Sequence, residues 1–165
     1  MFECTETTER AEASIKEMPT VVKFLKEILG RTRLSTITLV LALFYLDRLK
    51  GMHPACRGTH GSGHRLLLSS LMVSSKYLFD DTYDNKTWCL VSKCFSLSEV
   101  NQMENEFLYF LQYKLSFKPF EFEAFVSHLE ELLSAHMLVK SRNFQSQVDP
   151  SLYPSPALSL IKGFE

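Results

Sequence analysis

The chain has no excess of either charge: 18 Lys and Arg face 19 Asp and Glu, a net charge of −1 over 165 residues. That balance provides no general attraction to nucleic acid or to an acidic membrane, so neither is an expected partner. Glycine and proline are scarce at six each, which excludes collagen-like and low-complexity classes. The four cysteines (Cys4, Cys56, Cys89, Cys94) are too few for a disulfide scaffold. Cys89 and Cys94 lie in an apolar stretch where small buried thiols are expected. The amino terminus MFECTETTER has no apolar run, so neither a secretory signal nor a transit peptide is expected there, and a reducing, intracellular location follows. No apolar run reaches the roughly 20 residues that a bilayer requires. There is also no internal repeat, no heptad series and no strand-like alternation.

What is present is helical periodicity around one stretch, HRLLLSSLMVSSKYLFDD, from His64 to Asp81. Between Leu66 and Phe79 the only charge is Lys76. At about 100° per residue the apolar side chains point almost all round, as on a helix at the centre of a core. Ser69, Ser70, Ser74 and Ser75 are small enough for close helix approach, and their hydroxyls can bond carbonyls one turn back. Lys76 therefore needs a carboxylate, carbonyls or an edge at which to emerge.

Other helices are predicted around it. Val21, Val22, Phe24, Leu25, Ile28 and Leu29 recur at helical spacing after Thr20, with Gly30 as the stop. Ser35 can cap a helix from Thr36 to about Lys50, and Gly51 to Gly63 reads as a loop. After the turn cluster DDTYDN (Asp80–Asn85), a short helix is expected over Lys86–Cys94. Ser96 and Glu99 form a capping box for a helix to about Leu115, whose apolar stripe is Val100, Met103, Phe107, Leu108, Phe110 and Leu111. A last helix is expected from Phe120 to near Met137. The fold class is all-α, about five helices around a buried central one. Residues 1–18 are expected to be flexible, with a helical turn near Glu9–Lys16. Residues 19–138 form the domain and 139–165 a polar tail, mobile or weakly docked.

Glu104 falls near the middle of its helix's apolar stripe, as odd there as Lys76 is on the central helix. The two could form an internal salt bridge, which is weak evidence for stability because desolvation offsets attraction. Equally, they could sit on a shared rim and offer a donor and an acceptor to another protein's backbone. His53, Cys56, His60 and His64 provide four possible zinc ligands, but spacings of three, four and four match no compact zinc motif, and a polar surface loop is expected. Gly58, Gly61 and Gly63 are followed by no Lys-Ser/Thr, so a phosphate-binding loop is excluded. No nucleophile elbow is present. Lys23, Lys26, Arg31 and Arg33 read as a solvated basic face, the alternative being contact with a phosphorylated or acidic partner. No catalytic residue, metal or cofactor is assigned, and the chain is not expected to be an enzyme.

TLVLALFYLDRLK, HRLLLSSLMVSSKYLFDDTYDNKTW and EVNQMENEFLYFLQYKLSF, in that order, resemble a cyclin box. The similarity is closer to the fungal Pcl-type cyclins of the phosphate-regulon (PHO) kinase group and covers about Pro19 to His136. The resemblance implies a regulatory subunit that binds and activates a cyclin-dependent kinase and helps direct it to substrates. It implies that Lys76 and Glu104 reach backbone groups ahead of the kinase C-helix, with apolar surface from Tyr77, Leu78, Phe79 and Phe107. Only one box is found, and the first helix, PTVVKFLKEILGRT, lacks the Met-Arg-x-Ile-Leu pattern that in other cyclins forms a substrate-docking groove. The alternative is a cyclin-fold adaptor in transcription without kinase activation.

Overall fold

The computed structural model describes residues 19–55, 57–59 and 61–145. The segment expected to be flexible (1–18), the end of the tail (146–165), and the loop residues Cys56 and His60 lie outside them. Among the described residues six helices follow in order: α1 (Val21–Thr32), α2 (Thr36–Met52), α3 (Ser62–Leu78), α4 (Asn85–Ser92), α5 (Leu97–Phe110) and α6 (Pro119–Gln145). There is no strand among the described residues. One compact unit ends at Lys118 and contains α1–α5; a second begins at Pro119 with α6.

α3 is the buried middle helix of the first unit. Leu68, Leu71, Met72 and Val73 are core residues on it, and Ser69, Ser70, Ser74 and Ser75 are buried between them. It packs against α1, α2 and α5. Around it Phe24 and Ile28 of α1, Ala42 of α2, Trp88 of α4, Phe95, and Val100 and Met103 of α5 close a single apolar cluster. Burying each large side chain of this kind is worth about 1.5–3 kcal/mol. Three of the four serines are accommodated locally, while the Ser74 hydroxyl is buried with no hydrogen-bond partner among the described residues. Ser69 and Ser70 donate to the carbonyls of Arg65 and Leu67, each at 2.9 Å, and Ser75 bonds the Thr82 hydroxyl across the helix end.

The caps follow the local sequence. Thr20 accepts from the Lys23 N–H, Ser35 from Thr38, and Ser96 with Glu99 forms the full capping box. Gly61 precedes α3 in a left-handed conformation (φ 83°) that a glycine adopts without steric cost.

The boundaries depart from the sequence reading at several helix ends. α1 runs through Gly30 to Thr32, because the Thr32 hydroxyl donates to Ile28 at 2.8 Å and Arg33 takes the left-handed cap position (φ 49°). Val21 and Val22, placed on its apolar face, are exposed. α2 continues past Lys50 to Met52, and α3 begins within the expected loop, at Ser62. α4 covers Asn85–Ser92 rather than Lys86–Cys94, since Asp84 caps it and Lys93 ends it with φ 58°. α5 stops at Phe110, not Leu115: Gln112 and Tyr113 turn the chain with φ of 53° and 54°. The carbonyls beyond the turn are then taken by α2, with Tyr45 donating to Leu115 at 3.0 Å and Arg48 to Lys114 and Ser116 at 2.5 and 3.0 Å. α6 extends past Met137 into the expected tail.

Candidate protein-docking site

Three helices bring the two unusual charges together. Lys76 lies in the last turn of α3, where carbonyls without helical partners favour a cation. Glu104 lies midway along α5. Lys76 Nζ is 2.6 Å from Glu104 Oε1. The side chains remain 33% and 15% exposed, so the pair is neither deep in the core nor free of a partner: it is an ion pair at a rim. A pair this accessible contributes about 0–1 kcal/mol to stability.

Asn85 completes the site, and the sequence reading left it in a turn cluster. Its Oδ1 accepts from Lys76 at 2.6 Å, while its Nδ2 donates to Glu104 Oε2 at 2.6 Å and to Asn101 Oδ1 at 2.8 Å. One amide therefore links both charges across α3, α4 and α5. The signal for it was Asp84, a good N-cap residue that makes Asn85 the first residue of α4.

Asp84 accepts from the Thr87 N–H at 2.8 Å. Hydrogen bonds from Thr87, side chain first and backbone next, hold its carboxyl below the usual range. A folded-state pKa below the unfolded one contributes stability that is complete above the ordinary carboxylate value, about 3.9. It is lost as pH falls through the depressed folded value. Asp84→Ala is therefore expected to lower the melting temperature at pH 7, with the difference from the parent protein shrinking below about pH 4. Thermal melts of both proteins across this range check it, and a difference independent of pH would contradict it.

In the residues that follow Lys76 in the chain, Tyr77 and Phe79 are exposed and Leu78 is half-buried. The Tyr77 ring meets Tyr45 and Phe117 at 6.2 and 6.1 Å between centroids. Burial, helped by Tyr77, pushes the Tyr45 phenol well above its usual range, against a smaller opposing effect of Arg48. Tyr45 therefore stays neutral as a donor to Leu115. Phe107 does not provide surface next to the pair. It is 2% exposed, because the α5 stripe that carries it faces the interior.

The remaining candidates have structural partners. His53 Nε2 is 2.9 Å from the Phe110 carbonyl and His64 Nε2 is 2.6 Å from that of Pro19. The two described histidines of the loop are thus held apart by different backbone partners. No group of three or more His, Cys, Asp or Glu is placed to hold a metal among the described residues. Cys89 Sγ lies 3.3 Å from the Phe95 carbonyl, and burial pushes the Cys94 thiol up, away from the reactive thiolate. In the basic face, Arg31 is paired with Glu27 at 2.8 Å and donates to the Val91 carbonyl at 2.7 Å. No helix among the described residues is long and apolar enough to cross a membrane.

Comparison with known proteins agrees with this architecture. The cyclin family model matches residues 2–115. Cyclin-U1-1 of Arabidopsis thaliana is 30% identical over 141 residues, 86% of this chain and 67% of that protein. Cyclin-U4-1 of the same plant is 33% identical over 112 residues, 68% of this chain and 55% of that protein. PHO85 cyclin-1 of Saccharomyces cerevisiae is 30% identical over 106 residues, 63% of this chain and 38% of that protein. The matched region spans about half of most such relatives. With a helical bundle built round a buried α3 and a family match over most of its length, the chain belongs to the cyclin family.

Proposed function

We propose that this chain is a regulatory subunit that binds and activates a cyclin-dependent protein kinase, of the PHO group by its likeness to PHO85 cyclin-1, and helps direct it to substrates inside the cell. The observation that carries this reading is the rim itself. In a chain of the cyclin family, a lysine and a glutamate that the apolar patterns do not call for meet at the surface, held by Asn85, and exposed Tyr77 and Phe79 follow Lys76 in the chain.

Lys76 offers donors and Glu104 acceptors to backbone groups ahead of the kinase C-helix, and Tyr77, Leu78 and Phe79 cover apolar side chains next to it. An isolated kinase of this type holds its C-helix away from the active site, and an internal lysine–glutamate pair must form before ATP is aligned. A subunit that binds the C-helix-in state better shifts the population toward it. The chain performs no chemistry; differential binding is its function. The transcription-adaptor alternative has no specific observation in its favour, and the net charge of −1 opposes contact with nucleic acid.

Reconstitution tests this. Added to a purified PHO85-type kinase, the full chain is expected to co-elute with it and raise phosphoryl transfer. If the active state is a minor one of about 0.1–10%, the rise is on the order of 10- to 1000-fold. Neither co-elution nor stimulation with any cyclin-dependent kinase tried would end the reading.

A further inference from the structure

A groove of about 360 Å³ opens between the end of α2, the start of α3 and the second half of α5. Leu46 and Leu49 from α2, Leu66 from α3 and Phe110 from α5 provide its apolar surface, over a floor of the buried Met103 and Phe107 from α5. It is not a sealed core cavity: Leu66 is 38% and Phe110 47% exposed. Lys76, Glu104, Tyr77 and Phe79 do not line it. The volume is that of a site for a few large side chains.

Its rim has a definite sign. Lys50, Arg57 and Arg65 line the groove against one carboxylate, Glu106, although the chain as a whole carries −1. That carboxylate is already engaged by Gln102 at 2.7 Å. Arg65 lies 3.9 Å from Glu99, which is outside the lining, and Lys50 donates to the Pro54 carbonyl at 3.2 Å. Arg57 is exposed on the loop above. Gly58, next to it, belongs to this wall by close approach, since a Cβ there would lie 2.4 Å from Ser62 Oγ.

We propose that this groove docks a short acidic segment of a partner protein, with two or three large apolar side chains seated between α2, α3 and α5 and its carboxylates along Arg57 and Arg65. The apolar floor calls for apolar anchors, which a free phosphate or polyphosphate lacks. The cationic rim calls for acids between those anchors. The proposal does not depend on the kinase reading.

The probe is a fluorescein-labelled synthetic peptide, Asp-Asp-Leu-Glu-Glu-Leu-Phe-Asp-Asp, titrated with the full chain by fluorescence anisotropy. Saturable binding is expected below about 1 mM, the weak end of measurable affinity. Arg57→Glu and Leu66→Asp, both at accessible positions, are each expected to weaken it about tenfold or more, as is replacing the peptide's acids by lysine. Thermal melts establish that both variants remain folded. No saturation below about 1 mM, or equal affinity for the lysine peptide or for both variants, overturns the proposal. Two further results do the same. One is a dimer of the chain that Arg57→Glu dissociates, which would make a second copy the occupant. The other is loss of peptide binding in a saturated kinase complex, which would make the groove part of that interface.

Discussion

Lys76→Ala and Glu104→Ala are each expected to weaken kinase binding by about 30-fold or more while lowering the melting temperature by less than about 8 °C. The two magnitudes come from different environments of the same side chains. In the free chain the pair is solvent-reached, 33% and 15% exposed, and an accessible pair is worth about 0–1 kcal/mol. In a unit of this size that corresponds to no more than about 4–8 °C. Under a docked kinase both groups lose water, and truncating one partner of a buried, hydrogen-bonded charge pair costs about 2–5 kcal/mol, which is about 30-fold or more in Kd. Asn85 sharpens the test. With Lys76 gone, Glu104 still accepts from Asn85 at 2.6 Å, so the rim keeps its shape while it loses its donor.

The charge-swapped double variant, Lys76→Glu with Glu104→Lys, separates the roles further. It retains opposite charges at the rim and near-parental stability, yet presents donor and acceptor in reversed places, so kinase binding is expected to stay lost. Isothermal titration with the kinase and thermal melts provide both readouts. Parental affinity in the two single variants would remove the pair from the interface.

Trp88→Ala is expected to remove about 3–5 kcal/mol of stability, the cost of emptying a large aromatic site in a core, and to lower the melting temperature by roughly 15 °C or more. Trp88 is fully buried and joins α4 to the cluster around Phe24, Leu68, Leu71 and Val100. Its ring stands edge-on to Tyr83 at 5.8 Å, and Tyr83 in turn donates to the Thr32 carbonyl at 2.8 Å. α4 has only eight residues, too few to persist without tertiary packing, and it carries Asn85. Loss of the Trp88 anchor should therefore loosen the rim as well as the core.

Trp88→Phe should cost much less. The indole Nε1 is buried with no hydrogen-bond partner among the described residues, and an unmatched buried donor carries a penalty of about 1–3 kcal/mol. Phenylalanine removes that donor while retaining most of the apolar bulk. Chemical denaturation of the two variants checks the contrast. Equal losses would mean that the indole itself, not the volume it fills, decides the site.

Signals that act within a turn or two of the chain were enough for much of this protein. The all-round apolar pattern of Leu66–Phe79 identified the buried helix, Ser35 and the Ser96–Glu99 box identified two helix starts, and the lone charges Lys76 and Glu104 stood out against their stripes. Each is a property of neighbouring residues, because caps and periodicity depend on the local backbone alone.

What the tertiary structure decided involves residues far apart in sequence. α5 ends at Phe110 where Tyr45 and Arg48 capture the following carbonyls. Phe107 turns to the interior because its stripe faces the core. Whether Lys76 and Glu104 meet each other or each face elsewhere was open in the pattern; packing made them a partly exposed ion pair with Asn85 between them. Periodicity states that a side chain needs a partner, but which partner it meets, and how much water remains there, follows from how the helices cross.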